Sequence, residues 1–251
     1  MTVFGICMAK NEEDIIGPVV EHMMSEVDHV IVADNLSQDN TRSILDSLTG
    51  NITVIDDLEP AYRQSEKMTH LAMVAKKEGA KWVVPFDADE WWRSPHGRLA
   101  NVIRDSNFTI NIAPLYDHVP TSRDSAEPNP IKRMCWRKLT PTSLHKVACK
   151  TSWDLTIHMG NHNASYLNHE PTYDGWDLIE VRHFPIRTID QVIQKARTGA
   201  QALKLTDLPY DVGKHWRDWD NLSDDQFREA WSLHWFEQDP SQNPELVYDP
   251  V

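Results

Sequence analysis

The sequence has few of the features that define disulfide-rich, fibrous or membrane proteins. Its 251 residues include three cysteines, nine glycines and no apolar run long enough to cross a bilayer. The cysteines are odd in number and far apart, so we expect neither a disulfide framework nor a zinc ribbon, and a reducing, cytoplasmic location. The scarcity of glycine argues against propellers, collagen-like repeats and flexible linkers. The N-terminal apolar run, residues 3–8, is too short for the core of a signal peptide. Because no stretch approaches a membrane span, we expect a soluble protein.

Positive charge is also scarce. Lys and Arg total 25 against 38 Asp and Glu, which gives a formal net charge of −13. The resulting field repels nucleic-acid phosphates and anionic lipid headgroups. A phosphorylated ligand would therefore need a metal ion or well-placed cations. The chain does have 40% hydrophobic residues and ten tryptophans, which predict a globular protein with packed aromatic surfaces or a binding cleft.

The first ninety residues alternate short apolar runs with longer amphipathic ones. The runs predict strands at 3–8, 30–33, 52–55 and 82–86, and helices at 12–25, 41–48 and 62–78. This order predicts an α/β fold, with a Rossmann-type, mainly parallel sheet flanked by helices. Ligands of such sheets bind outside the carboxyl ends of the strands.

The second half has shorter β-like pieces and two capped helices. The pieces are 108–113, 131–136, 146–150 and 179–182, and capping boxes at Thr188/Gln191 and Ser223/Gln226 begin the helices. We therefore predict a catalytic domain over 1–210, with a nucleotide-binding half at 1–106 and a β-rich acceptor half at 107–210. A C-terminal helical extension covers 211–251.

An acidic motif follows the fourth predicted strand. In an extended backbone, Asp87 and Asp89 project to one face while Ala88 points away. Two carboxylates this close repel each other unless a positive charge lies between them. A hard divalent cation, Mn²⁺ or Mg²⁺, held by carboxylates and substrate phosphates would supply it. As a bare pattern, D-x-D is also common in helix caps and turns.

Two other polar turns follow the first and second strands. Helix capping accounts for Ser37 or Asp39, but it does not account for Asp34 and Asn35. Those two would face the same crevice as Asp87 and hydrogen-bond to a base or ribose. The turn Lys10-Asn11-Glu12 lies in the equivalent place after the first strand.

Together, these motifs resemble the family 2-like glycosyltransferases with the GT-A fold. The matching segments are K-N-E, D-N-x-S-x-D-x-T and W-V-V-P-F-D-A-D-E, and the closest branch has an aromatic residue after D-x-D-E, here Trp91. The resemblance implies a nucleotide-sugar donor, a Mn²⁺ or Mg²⁺ ion and sugar transfer to an acceptor hydroxyl. It implies that Asp87 and Asp89 hold the metal and ribose, and that the nucleoside is contacted by Lys10, Asn11, Glu12, Asp34 and Asn35. Gln64 matches another polar position of this branch.

A histidine segment in the second half is also similar to that branch. His183 ends a short apolar stretch and would be an additional metal ligand, since neutral imidazole suits Mn²⁺. Arg187 and Lys195 would neutralise the departing diphosphate. Alternatively, His183 packs in a polar core and Lys195 is a solvated helix residue.

The catalytic base and the acceptor contacts are less well defined. Inversion at the anomeric carbon requires a carboxylate base, and the candidates are Asp117, Glu170 and Asp174, although the family's E-D signature is absent. Trp91, Trp92 and Trp176 are either sugar-stacking platforms or core residues. His158 and His162 fit a surface loop or an acceptor contact better than a zinc site.

The last helix carries an aromatic stripe, Phe227, Trp231, His234 and Trp235, which predicts a clamp onto the catalytic body or a homodimer contact.

The leading hypothesis is a metal-dependent glycosyltransferase that uses a UDP-sugar. The acceptor is a glycan, lipid, protein or modified nucleic acid, the last disfavoured by charge. The alternatives are a sugar-phosphate nucleotidyltransferase, whose Gly-rich loop after the first strand is missing, and a non-catalytic carbohydrate-binding protein.

Overall fold

Short strands rich in Val and Ile alternate with helices along the first half of the chain. The computed structural model describes residues 1–174, 177–234 and 239–251, without the side chains of 174 and 230–234. Its strands are β1 (Val3–Ala9), β2 (His29–Asp34), β3 (Ile52–Asp56), β4 (Trp82–Phe86), β5 (Glu90–Arg93), β6 (Ile110–Asp117), β7 (Trp136–Lys138), β8 (His145–Lys150), β9 (Leu155–Ile157), β10 (Ala164–Tyr166), β11 (Tyr173–Asp174), β12 (Glu180–His183) and β13 (Leu246–Tyr248). The helices are α1 (Ile16–Glu26), α2 (Thr41–Ser47), α3 (Gln64–Lys77), α4 (Leu99–Arg104), α5 (Pro130–Arg133), α6 (Ile189–Lys204), α7 (Lys214–Asp220) and α8 (Asp224–His234).

Most of the strands in the described residues belong to one mixed sheet. Its order is β3-β2-β1-β4-β8-β6-β12-β5, and β11 pairs with β6. The pairs β3–β2, β2–β1 and β1–β4 are parallel, as the predicted β-α-β order requires. This confirms the predicted α/β fold class, with a sheet flanked by helices.

Beyond β4 the sheet is largely antiparallel. β8 runs antiparallel to both β4 and β6, and β12 runs antiparallel to β5. In the last pair His183 lies opposite Glu90. A strand from the second half of the chain therefore places its last residue beside the acidic motif.

The core lies between the parallel strands and their helices. All five residues of β4 are buried, which fits a strand covered on both faces. Ile6 and Ile31 pack with Met68 and Leu71 of α3 in one apolar cluster. Gly79 ends the α3 segment with a φ of +100°, a conformation that glycine adopts without a Cβ clash after the end of a helix.

The chain forms two compact units. The first contains residues 1–58, 64–116 and 141–183, and the second contains 59–63, 117–140 and 184–251. In the second unit, β13 pairs with β7, and α7 and α8 pack on α6. Among the helices that the structure describes, none is both long and apolar enough to cross a membrane.

In the second unit the predicted capping box at Ser223/Gln226 is complete, whereas at Thr188 the side-chain cap is present but Gln191 Oε1 accepts from the Arg187 amide. The Thr188 side chain accepts a hydrogen bond from the Gln191 amide, and Ser223 and Gln226 bond each other reciprocally. Phe227 of the predicted aromatic stripe is buried against α6. The structure does not describe the side chains of residues 231 and 234 or any part of residue 235.

The prediction of a strand over 131–136 is wrong. Asn129 accepts a hydrogen bond from the Ile131 amide, and Pro130 occupies the first helical turn, so the segment begins as the short helix α5. An Asn cap followed by Pro favours a helix start over a strand. Strand β7 begins only at Trp136.

Candidate active site

Three polar turns lie at one edge of the parallel sheet. They follow β1, β2 and β4, which are neighbours running in the same direction. Ala9 pairs with Asp34, and the Asn35 amide donates to the Ala9 carbonyl at 2.8 Å. The structure thus brings the Lys10 turn, the Asp34 turn and the acidic motif to the carboxyl ends of adjacent strands, where α/β sheets bind ligands.

Hydrogen bonds connect the Lys10-Asn11-Glu12 turn after β1 to the loop after β2. Asn11 has a left-handed φ of +54°, its amide donates to Ser37 Oγ at 3.0 Å, and its Oδ1 accepts from the Gln38 amide at 2.8 Å. The Glu12 amide donates to Thr41 Oγ1 at 2.8 Å. Asn11 therefore holds the loop after β2 in place.

Asp34 and Asn35 differ in how their side chains are held. Asn35 Nδ2 donates to Asp57 Oδ2 at 2.9 Å, and Asp57 also pairs with Lys67 at 2.7 Å. Asp34 is 7% exposed, and within the described part of the chain its Oδ1 has no hydrogen-bond partner. A buried acceptor without a partner is costly, and a hydrogen-bond donor on a ligand would satisfy it. Burial, with the nearby charge of Lys67, lowers the pKa of Lys10.

The acidic motif is a turn, so the expected extended conformation of Asp87 and Asp89 is wrong. The Glu90 amide donates to the Asp87 carbonyl at 3.1 Å. Glu90 Oε2 accepts from the Asp87 amide and from Trp92 Nε1, each at 3.1 Å. The buried Glu90 carboxylate stabilises this turn because it accepts hydrogen bonds from the Asp87 amide and Trp92 Nε1. In an extended strand, these two donors would lack that partner.

Asp89 meets His183. Asp89 Oδ1 lies 3.8 Å from His183 Nε2, and the Asp89 side chain is almost fully buried. Over residues 1–174, 177–234 and 239–251, no group of three or more His, Cys, Asp or Glu side chains could hold a metal ion. The pair can still share one ion, because two ligand bonds of about 2.1 Å span this separation. A carboxylate with an imidazole suits Mn²⁺, and substrate phosphates commonly complete such a site.

A lysine that sequence reasoning missed lies beneath the motif. Lys146 of β8 is 3% exposed. Its Nζ lies 2.6 Å from Asp87 Oδ2, 2.7 Å from Glu90 Oε1 and 2.8 Å from the Gly160 carbonyl oxygen. Burial disfavours its charge, but the carboxylates of Asp87 and Glu90 outweigh burial and raise the pKa of Lys146. Burial raises the pKa of Glu90 to about 7, and Lys146 opposes that rise.

The other Asp87 oxygen is held by two amide side chains. Asn161 Nδ2 donates to Asp87 Oδ1 at 3.0 Å, and Gln64 Nε2 donates to it at 3.4 Å. Gln64 Oε1 also accepts from the Gly160 amide at 2.8 Å. Gln64 therefore joins the predicted site, and Asn161 is a further residue that the sequence did not reveal.

The predicted loop at 158–162 is a 3-10 turn in which Gly160 has a φ of +71°. Its two histidines bind different partners. His158 Nε2 bonds Ser165 Oγ at 2.9 Å, and His162 Nδ1 donates to the His145 carbonyl at 2.7 Å. Their i and i+4 spacing therefore does not bring them to one metal, in agreement with the loop prediction.

The other predicted site residues are divided between the two compact units. Asp117, Arg187 and Lys195 belong to the second unit. There Asp117 Oδ2 lies 3.6 Å from Lys138 Nζ, and the buried Arg187 guanidinium donates to the Phe184 carbonyl at 3.0 Å. Glu170 is exposed in the first unit. The side chain of Asp174 and all of Trp176 lie outside the described residues.

The two tryptophans after the motif have different surroundings. Trp92 is fully buried, in agreement with the core alternative. Trp91 is partly exposed and stacks on His22 with ring centroids 3.7 Å apart. His22 Nε2 in turn donates to the Trp92 carbonyl at 2.6 Å.

A helix-flanked α/β sheet with polar turns after its parallel strands and an acidic motif at its edge is the arrangement of a GT-A-like fold. The family model "Glycosyl transferase family 2" matches residues 6–157. The chain belongs to this family, which favours sugar transfer over nucleotidyl transfer. No curated protein sequence matches the chain.

Several solved structures are similar to this chain at low identity. TarS 1-349 of S. aureus is 13% identical with a TM-score of 0.43, and the match covers 93% of this chain and 73% of that one. Glucosyl-3-phosphoglycerate synthase from Mycobacterium tuberculosis, in complex with Mn²⁺, UDP and glucosyl-3-phosphoglycerate, is 22% identical with a TM-score of 0.30, covering 36% and 34%. Mannosyl-3-phosphoglycerate synthase from Rubrobacter xylanophilus is 20% identical with a TM-score of 0.36, covering 51% and 43%. The chain thus spans less than half the length of either synthase.

Proposed function

We propose that this glycosyltransferase moves a sugar from a UDP-sugar to an acceptor hydroxyl with the help of Mn²⁺ or Mg²⁺. The observation that carries the proposal is the approach of His183 to Asp89 at 3.8 Å, at the sheet edge where the Asp34 and Lys10 turns also end. One edge therefore offers a metal-binding pair beside polar groups suited to a nucleoside. The narrower D-x-D-E branch with Trp91 is part of the same proposal.

The nucleoside would bind at the turns after β1 and β2. Asp34 Oδ1 is a buried acceptor with no hydrogen-bond partner in the described residues, and uracil carries an N–H that can donate to it. Asn35, Lys10 and Glu12 line the same turns, while Asn11 holds the loops together. Gln64 and Asp87 extend this polar surface toward the ribose.

Asp89 and His183 would hold the ion, with Asp87 beside them. When bound, the divalent cation would offset the negative charge that develops on the leaving diphosphate. Arg187 and Lys195 are our proposed further cations for that diphosphate. The protein's own part is to bind the nucleotide and to orient the ligands before the donor arrives.

Sugar transfer also requires removal of a proton from the acceptor hydroxyl. With inversion, which we propose, a carboxylate on the side opposite the diphosphate accepts that proton. Asp117, Glu170 and Asp174 remain the candidate bases. The acceptor is a glycan, lipid, protein or modified nucleic acid, and single substitutions of the three carboxylates would identify the base by loss of turnover with nucleotide binding intact.

We also retain the proposed organisation of the chain. Residues 1–210 would form the catalytic domain and 211–251 a helical extension that clamps onto it or forms a homodimer. The free thiols of Cys7 and Cys149 are buried, which is compatible with the proposed cytoplasmic location.

The test begins with thermal stability in the presence of UDP, GDP and CDP, each with and without Mn²⁺. A nucleotide that binds the folded state raises the melting temperature by mass action. We expect the largest rise with UDP and Mn²⁺ together, and release of UDP when UDP-sugars are supplied. Asp89→Asn should abolish that release.

Two results would contradict the proposal. Full turnover in excess EDTA would exclude metal dependence. Stabilisation by UDP or glycans without sugar release from any donor would instead indicate a non-catalytic binding protein.

A further inference from the structure

We propose that Lys146 is a positioning residue of the nucleotide site, an internal cation that fixes the Asp87 carboxylate for the donor. Two carboxylates beside each other need a positive charge, and this chain supplies one from its own strand β8. The inference rests on the proposed nucleotide site, because Asp87 is the motif residue next to Gln64 at that site.

The ammonium group of Lys146 is engaged by groups of the protein itself. Its Nζ donates hydrogen bonds to Asp87 Oδ2 at 2.6 Å and to the Gly160 carbonyl oxygen at 2.8 Å, and it forms an ion pair with Glu90 Oε1 at 2.7 Å. The Lys146 side chain is only 4% exposed, whereas that of Asp87 is 30% exposed. Lys146 is therefore shielded from a ligand that would reach Asp87, and it acts through Asp87.

Asp87 is held from both sides. Lys146 binds Oδ2, while Asn161 and Gln64 donate to Oδ1. A carboxylate held by a charge-assisted bond on one oxygen and amide donors on the other has little rotational freedom. The partly exposed edge of Asp87 is thus presented to a ligand in one orientation. The Asp87 side chain loses its conformational entropy when the protein folds, so this loss does not weaken ligand binding.

Glu90 makes it possible to separate positioning from folding. Its carboxylate is fully buried and shares the Lys146 ammonium with Asp87. Lys146→Met alone leaves Glu90 buried without its cation, which destabilises the fold. Adding Glu90→Gln removes that uncompensated charge while leaving Asp87 Oδ2 without its cation.

The experiment measures UDP affinity in the presence of Mn²⁺ by calorimetry, together with melting temperature. Lys146→Met should lower both, with UDP affinity falling about tenfold or more. The double variant Lys146→Met/Glu90→Gln should recover much of the melting temperature but keep the weak UDP affinity. Lys146→Arg, which retains the charge, should restore part of the affinity.

Lys150→Met is the matched control. Lys150 lies on the same strand, and its Nζ is 5.3 Å from the Trp82 ring centroid, so its loss should leave UDP affinity unchanged. If UDP affinity recovers in the double variant together with the melting temperature, Lys146 is purely structural and the inference is overturned. If the wild-type protein itself does not bind UDP, the proposed function fails and the inference falls with it.

Discussion

His183 Nε2 lies 3.8 Å from Asp89 Oδ1, although the two residues come from different halves of the chain. The antiparallel pairing of β12 with β5 sets this approach, because it places His183 opposite Glu90. In the function that we propose, this carboxylate and imidazole would form the protein's share of a divalent metal site, with substrate oxygens completing it.

Loss of either member of this pair should weaken metal binding. We expect Asp89→Asn and His183→Ala each to reduce Mn²⁺ affinity about tenfold or more in the presence of UDP, measured by electron paramagnetic resonance titration. His158→Ala is the control, since His158 bonds Ser165 in another part of the loop. Unchanged Mn²⁺ affinity in both site variants would exclude the pair as ligands.

Asp34 should contribute to nucleotide binding and not to stability. Its Oδ1 is buried with no hydrogen-bond partner in the described part of the chain, so Asp34→Ala should leave the free energy of unfolding unchanged or raise it. UDP affinity should fall about tenfold by calorimetry, while Mn²⁺ affinity is retained. Asp46→Ala, which removes only an exposed ion pair with Arg42, should change neither. A larger loss of metal affinity than of UDP affinity would contradict this role.

Two glycines with positive φ should respond differently to alanine. A Cβ at Gly160, where φ is +71°, would lie 2.4 Å from the His162 ring, whereas a Cβ at Gly79 would meet nothing within 4 Å. Gly79→Ala should cost about 1–2 kcal/mol of unfolding free energy through backbone strain alone. Gly160→Ala should cost more in urea unfolding, and only it should weaken UDP binding, because Gly160 bonds Gln64 and Lys146. Equal costs would show that the turn relaxes freely.

His22 should make stability depend on pH. Burial lowers the pKa of His22, against the opposing effects of the Trp92 carbonyl and Glu26. Below the unfolded-state pKa of about 6.5 the unfolded chain binds the proton more readily, so stability is lost as the pH falls through that range. His22→Phe, which can still stack on Trp91, should lose less stability between pH 7 and pH 5 in urea unfolding. Identical pH slopes in the two proteins would exclude His22 as the cause.

The parallel half of the fold could be predicted from the sequence because each of its strands and helices has a local residue pattern. Strand β4 is a continuous apolar run, as expected for a strand buried on both faces, and its predicted bounds match the observed ones. The helix caps at Thr188 and Ser223 were equally clear, since a cap depends on residues three apart. The short helix α5 was missed because its Asn-Pro start lies just before the segment 131–136, which was interpreted as a strand without regard to that cap.

The sequence by itself determined the parallel strands, the helices between them and the polar turns at their carboxyl ends, since local periodicity and capping specify these features. Only the tertiary structure decided that the acidic motif folds back on Glu90, that His183 reaches Asp89, and that the counter-charge for Asp87 is Lys146. The physical reason is that a buried charge is defined by its partners in space. Lys146 lies at the start of an ordinary strand, and nothing in its neighbours along the chain distinguishes it from a solvated lysine.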